Sequence, residues 1–133
     1  MPEVCEELGA IVATLLELDQ LYQPEAAIVN YYPAGSGYIG IHRDNSEYCS
    51  APIVSVSIGA TAIFLLGLGE RDEPCVEMRL EHGDLLVMDG KDREALHAVP
   101  RVIAVEPDIS IQDAQLRNYL SQARINVNLR QVS

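Results

Sequence analysis

Residues 38–45 read Tyr-Ile-Gly-Ile-His-Arg-Asp-Asn, and the reading of the chain turns on His42 and Asp44, two apart in an apolar, strand-like run. In an extended strand such a pair points to one face. An imidazole and a carboxylate side by side are two ligands for a divalent metal. A third nitrogen from a distant strand completes the 2-His-1-carboxylate set of non-haem iron sites. His97, in Glu-Ala-Leu-His-Ala-Val-Pro, is the natural third. With three histidines and many aspartates available, one His-x-Asp also arises by chance, so its weight comes from its surroundings.

The chain has 133 residues, which predicts one domain, residues 1–133, around a single core. It is 48% hydrophobic and lacks Trp, and no window of about 18 apolar residues is long enough to cross a bilayer. Residues 1–8 carry no basic region followed by an apolar one, so no secretion signal is expected. Cys5, Cys49 and Cys75 are an odd number without metal-ligand spacing and read as reduced thiols in a cytoplasmic protein. The net charge of −11, with Lys91 the one lysine, opposes long-range attraction to a polyanion, so a nucleic-acid substrate needs a local basic patch.

Apolar residues at Val4, Leu8, Ile11, Val12, Leu15, Leu18 and Leu21 follow a helical stripe, which predicts an amphipathic helix within residues 1–22, packed on the core and ended by Pro24. Residues 26–32 are strand-like and close at Pro33 and a glycine turn. Residues 53–58 and 61–67 read as two strands joined at Gly59 in a hairpin. Residues 75–80 and 85–89 read as two more, and residues 70–73 as a charged loop. The stretch 101–123 is less legible, with a helical patch at 114–120. Residues 124–130 alternate Ile125, Val127 and Leu129 against Arg124, Asn126, Asn128 and Arg130. Many short strands without βαβ alternation predict a mainly β sandwich or barrel with a flanking helix.

The polar face of the last strand carries Arg124 and Arg130. A buried guanidinium needs an anionic partner, either a protein carboxylate, of which the chain has twenty, or a carboxylate ligand.

Asn30-Tyr31-Tyr32, His42-Arg43-Asp44, Gly-Asp-Leu-Leu-Val-Met-Asp-Gly before His97, and Arg124-x-Asn126-x-x-x-Arg130 occur in the order seen in AlkB-like Fe(II)/2-oxoglutarate-dependent dioxygenases. The chain resembles that family from Asn30 to Arg130, and the stretch from His42 to Leu66 looks most like the short AlkB domains of plant RNA virus replicases. The resemblance implies a double-stranded β-helix, the jelly-roll core. It implies that His42, Asp44 and His97 bind Fe(II), and that Arg124 pairs with the distal carboxylate of 2-oxoglutarate. Asn30 and Tyr32 would hydrogen-bond this cosubstrate, while Asn126 and Arg130 complete its pocket, Arg130 near Asp44. The implied reaction consumes O2 and releases succinate and CO2. On an N-methyl group it liberates formaldehyde, which is oxidative demethylation of N-alkylated bases in RNA or single-stranded DNA and thus nucleic acid repair.

The chain departs from the pattern in three places. Asn128-Leu129 precede the last arginine where the family often has Thr-Phe. Ser46, beside Glu47, stands where several repair members have a second carboxylate. Before Asn30 there is no Trp to supply the base-stacking lid. Tyr31, Tyr38 and Tyr48 are candidate stacking residues or sheet aromatics, Arg43 a phosphate contact or a surface ion pair, and the segment between His97 and Arg124 a substitute cover. Three readings stand: a nucleic-acid demethylase; a hydroxylase of a protein or small molecule with the same cofactor site; and a non-catalytic β-sandwich metal-binding module. His82, in a Glu-His-Gly-Asp turn, is expected on the surface and not as a ligand.

Overall fold

The computed structural model describes residues 1–18, 21–45, 50–67 and 74–133. Helix α1 (Glu3–Leu15) precedes strands β1 (Ala26–Pro33), β2 (Ile39–His42), β3 (Ile53–Gly59), β4 (Thr61–Gly67), β5 (Cys75–Leu80), β6 (Leu85–Met88) and β7 (His97–Ile103). Helix α2 (Ala114–Gln122) and strand β8 (Ala123–Arg130) complete the chain, and a 3-10 turn, Gly90–Asp92, lies between β6 and β7. The strands pair antiparallel in two four-stranded sheets, ordered β1-β8-β3-β6 and β2-β7-β4-β5. This is the expected mainly β jelly roll with flanking helix. Among the described residues no helix is long and apolar enough to cross a membrane.

Strand periodicity explains the layers. On β3, Ile53 joins Tyr32, Phe64, Met88, Val99 and Val102 between the sheets, while its neighbour Val54 lies outside, under α1, with Val12, Ala13, Tyr22 and Leu129. Both faces of β3 are therefore covered, so the strand is rich in apolar residues without a polar outer face. Ser55 and Ser57 are the exceptions on its inner face, and both are buried.

Two sequence expectations are corrected. Helix α1 stops at Leu15, short of residue 22, although the apolar stripe runs on. Glu17 takes φ +51°, the Leu18 N–H reaches Ala13 O at 3.0 Å and the Glu17 N–H reaches Thr14 O at 3.3 Å. That is a Schellman stop, with glutamate where glycine usually sits. Leu18 then packs back under the helix instead of extending it.

The second correction is that β3 and β4 are not a hairpin, because they belong to different sheets. Gly59, at φ +92°, turns the corner so tightly that a Cβ there would lie 2.3 Å from Ala123 O, and two strands leaving such a corner diverge. Strand β7 runs through Pro100 without ending there. Pro100 falls at the irregular step of the β4/β7 ladder, where a missing N–H is tolerated. Ser46, Glu47, Tyr48, Cys49 and the charged loop 70–73 lie outside the described residues.

Candidate active site

Strand register builds the centre. His42 is the direct partner of His97 across β2 and β7, and their ring centroids are 4.2 Å apart. From the Ile39–Val99 pair to the His42–His97 pair, β2 advances three residues and β7 two, which is a bulge. In a regular strand Ile39 and His42 would face opposite sides. The bulge turns both into one pocket.

Asp44, just past the end of β2, turns its carboxylate toward both rings. Oδ1 lies 3.9 Å from His42 Nε2, and Oδ2 lies 3.5 Å from His97 Nε2. His42 Nδ1 is 2.8 Å from Gly40 O, and His97 Nδ1 is 3.0 Å from Ala95 O. A carbonyl only accepts, so each Nδ1 donates its proton and Nε2 is the nitrogen turned toward Asp44, able to ligate a metal once it carries no proton. The three ligand atoms lie within 4.8 Å of one another. With metal–ligand bonds of about 2.1 Å, neighbouring donors on one ion sit about 3 Å apart, so closing on a cation takes shifts of under about 1 Å. Donor types and spacing thus fit a divalent metal with open positions. The His97 contact holds the Asp44 carboxyl well below its ordinary 3.8, burial opposes this, and the Arg130 charge reinforces it. Arg130 Nη2 is 3.0 Å from Asp44 Oδ2.

At the other end of β8, Arg124 is 1% exposed. Its Nη2 donates to Ser57 Oγ at 3.0 Å, its Cζ lies 5.6 Å from the Tyr32 ring centroid, and its Nε and Nη1 have no partner among the described residues. Burial pushes the guanidinium down from its ordinary value. Register explains the neighbours: Tyr32 pairs with Arg124, and Asn126 lies between Asn30 and Ser57. Asn126 donates to Ser55 Oγ at 2.7 Å and accepts from Asn30 Nδ2 at 3.3 Å. Asn30, Tyr32, Ser55, Arg124 and Asn126 line a pocket of about 190 Å³ that also holds His42, Asp44 and His97. A charged donor fork lies toward one end of the cavity and a metal-ligand set toward the other. That arrangement suits a ligand with a carboxylate at each end.

Of the recognition candidates, Tyr31 is 55% exposed and stacks on Tyr119 at 5.9 Å, on the side of β1 away from the pocket. Tyr38 and Arg43 are exposed, and Tyr48 lies outside the described residues. His82 is exposed, and its Nδ1 accepts from the Gly59 N–H at 2.9 Å. The segment between His97 and Arg124 does not form a cover by way of α2. That helix packs on β3 and β8 beside the Gly59 corner, at the Arg124 end of β8, away from Arg130 and Asp44. Sequence reasoning missed Ser55 and Ser57, although two serines at period two inside an apolar strand signal a polar patch on a buried face. It also missed Arg93, which is buried, donates from Nε to Ala51 O at 2.8 Å and from Nη1 to Asp44 O, and carries no periodic signal.

A family model described as the 2OG-Fe(II) oxygenase superfamily matches residues 1–130. The chain is 41% identical to the DNA N(6)-methyladenine demethylase ALKBH1A of Arabidopsis thaliana, over 97% of this chain and 40% of the relative. It is 39% identical to the human nucleic acid dioxygenase ALKBH1, over 84% of this chain and 35% of the relative. A solved structure titled "The structure of OsALKBH1" superposes with TM-score 0.75 at 28% identity, covering 98% of this chain and 66% of that one. The chain thus spans about two fifths of the length of the curated relatives it matches.

Proposed function

The chain belongs to the 2OG-Fe(II) oxygenase superfamily, as an AlkB-like member, and on that premise we propose that it demethylates N-alkylated bases in RNA or single-stranded DNA, using Fe(II), 2-oxoglutarate and O2. In this reading residues 1–133 act as one domain. His42, Asp44 and His97 hold the iron, and Arg124 takes the distal carboxylate of 2-oxoglutarate. Asn30, Tyr32 and Asn126 line the cosubstrate's path, and Arg130 stands by its 2-oxo acid end. The observation that carries the site assignment is Arg124: a nearly fully buried guanidinium with two nitrogens unpartnered among the described residues, in the same pocket as a His-Asp-His cluster.

Iron held by His42, Asp44 and His97 would supply oxidation of a substrate C–H bond by O2, coupled to conversion of 2-oxoglutarate to succinate and CO2. The chain's own residues do the positioning. Gly40 and Ala95 carbonyls fix the ring tautomers of His42 and His97, so both present Nε2. The His97 contact, reinforced by Arg130, keeps Asp44 ionised, and Arg130 holds its carboxylate beside the rings. Arg124, fixed by Ser57, sets how deeply the cosubstrate enters. The N-hydroxymethyl product then breaks its C–N bond, the hydroxyl proton passing to nitrogen, and releases formaldehyde and the bare base.

The nucleic-acid substrate rests on the names of the relatives. The second reading, hydroxylation of a protein or small molecule at the same site, is favoured by the net charge of −11. The test supplies Fe(II), 2-oxoglutarate and N-methylated RNA or single-stranded DNA and measures succinate and formaldehyde together. Equal amounts of both, abolished in His97→Ala, support demethylation. Succinate without formaldehyde on every methylated oligonucleotide overturns it in favour of the second reading.

A further inference from the structure

Arg93 is 5% exposed, and its side chain spans two backbone carbonyls far apart in sequence from itself. Its Nη1 donates to Asp44 O, and its Nε donates to Ala51 O at 2.8 Å. Burying a guanidinium costs free energy that a simple loop contact does not require. The backbone around Arg93 is itself fixed. Arg93 closes the Gly90–Asp92 turn with its N–H on Gly90 O at 3.3 Å, and Ala95 N–H follows on Asp92 O at 3.2 Å. The same Ala95 gives its carbonyl to His97 Nδ1 at 3.0 Å. One short turn therefore orients the ring of His97 through Ala95 and grips the backbone of Asp44 through Arg93.

We infer that Arg93 is a positioning residue for the metal centre: its planar fork locks the backbone of Asp44 to the turn that orients His97, and so sets the distance between two of the three ligands. This rests on the reading of His42, Asp44 and His97 as the iron ligands. Asp44 lies beyond the last residue of β2, so no strand ladder fixes its backbone. Arg130 steadies its carboxylate, while the Arg93 contact to its carbonyl sets where that carboxylate starts. Lysine keeps the charge and loses the planar fork, so it no longer fixes the spacing between the two carbonyls.

The experiment is an anaerobic titration of the full chain with Fe(II) at saturating 2-oxoglutarate, followed by 2-oxoglutarate at saturating Fe(II). Both read the visible metal-to-ligand charge-transfer band, with thermal unfolding of each apoprotein alongside. Arg93→Met is expected to raise the Fe(II) midpoint about 10- to 100-fold, as loss of an outer-shell contact to a metal ligand does, and to leave the 2-oxoglutarate midpoint within twofold. Arg93→Lys is expected between Met and wild type, and it carries the same test should Arg93→Met fail to fold. Val12→Ala, a core change under α1, lowers the unfolding temperature but leaves both midpoints in place. An Fe(II) midpoint within twofold of wild type in folded Arg93→Met or Arg93→Lys overturns the inference. So does an equal shift in Val12→Ala, which would reduce Arg93 to general stability. No band in the wild type overturns the cofactor site itself, and a wild-type band with an unmoved variant overturns the inference alone.

Discussion

Replacing Arg124 with methionine should make the empty protein more stable and its ligand binding far weaker, an uncommon pairing of effects that follows from the guanidinium's surroundings. The side chain is 1% exposed, and one nitrogen bonds Ser57 at 3.0 Å while Nε and Nη1 have no partner among the described residues. Its desolvation is thus poorly compensated in the apoprotein, and burial lowers its pKa accordingly. Methionine of similar length removes the charge and gives up the Ser57 hydrogen bond, about 1 kcal/mol. The relief of a buried unpaired charge exceeds that, so a net gain of about 1 kcal/mol is expected, about 3–5 °C in Tm for a chain of this size. The carboxylate of 2-oxoglutarate would find two charge-assisted bonds missing. At about 1.5–2 kcal/mol each, this is 3–4 kcal/mol, and its Kd should rise about 10²- to 10³-fold. Differential scanning calorimetry of the apoprotein and the charge-transfer titration read the two halves separately. A destabilised apoprotein with unchanged 2-oxoglutarate affinity would refute the reasoning and make Arg124 a structural residue.

Three further outcomes follow from local geometry. Glu17→Gly should stabilise the protein by about 1 kcal/mol, since Glu17 stands at φ +51° in a helix stop that glycine occupies without strain; no gain on urea unfolding would contradict the Schellman assignment. Gly59→Ala should cost about 3 kcal/mol or more, because its Cβ would meet Ala123 O at 2.3 Å and φ is +92°; a loss below about 1 kcal/mol would mean the corner gives way easily. Asp44 is held below its ordinary 3.8, so the stability it contributes is fully present above the unfolded value and is lost as pH falls through the folded one. The apoprotein should therefore exceed Asp44→Asn in stability by about 2 kcal/mol at pH 5–8, the gap closing below about pH 4, and a gap that persists unchanged to pH 3 would sink this account.

The chemistry of the pocket was legible because it sits in short-range pattern. Alternation along residues 124–130 places Arg124, Asn126 and Arg130 on one face, and the β8 pairings keep it that way. The two-residue spacing of His42 and Asp44 marked the pair, yet not for the reason first given. The strand ends at His42, and a bulge aims its ring. Helix α1 was legible in its apolar stripe but not in its end, because Glu17 gives no glycine signal where the backbone turns left-handed.

Residue types and their periods determined that this chain has short strands, a polar face bearing two arginines, and imidazole and carboxylate side chains in an order that matches an AlkB-like dioxygenase. Those are properties of side-chain chemistry and of periods of two or 3.6 residues, which need no distant partner. Tertiary structure alone decided that β3 and β4 part at Gly59 into different sheets, that His42 meets His97 in register, that Ser57 fixes Arg124, and that Arg93 grips Asp44. Each joins residues whose meeting depends on how strands pair and sheets stack. Pairing is set by the packing of the whole core, and no local stretch encodes it.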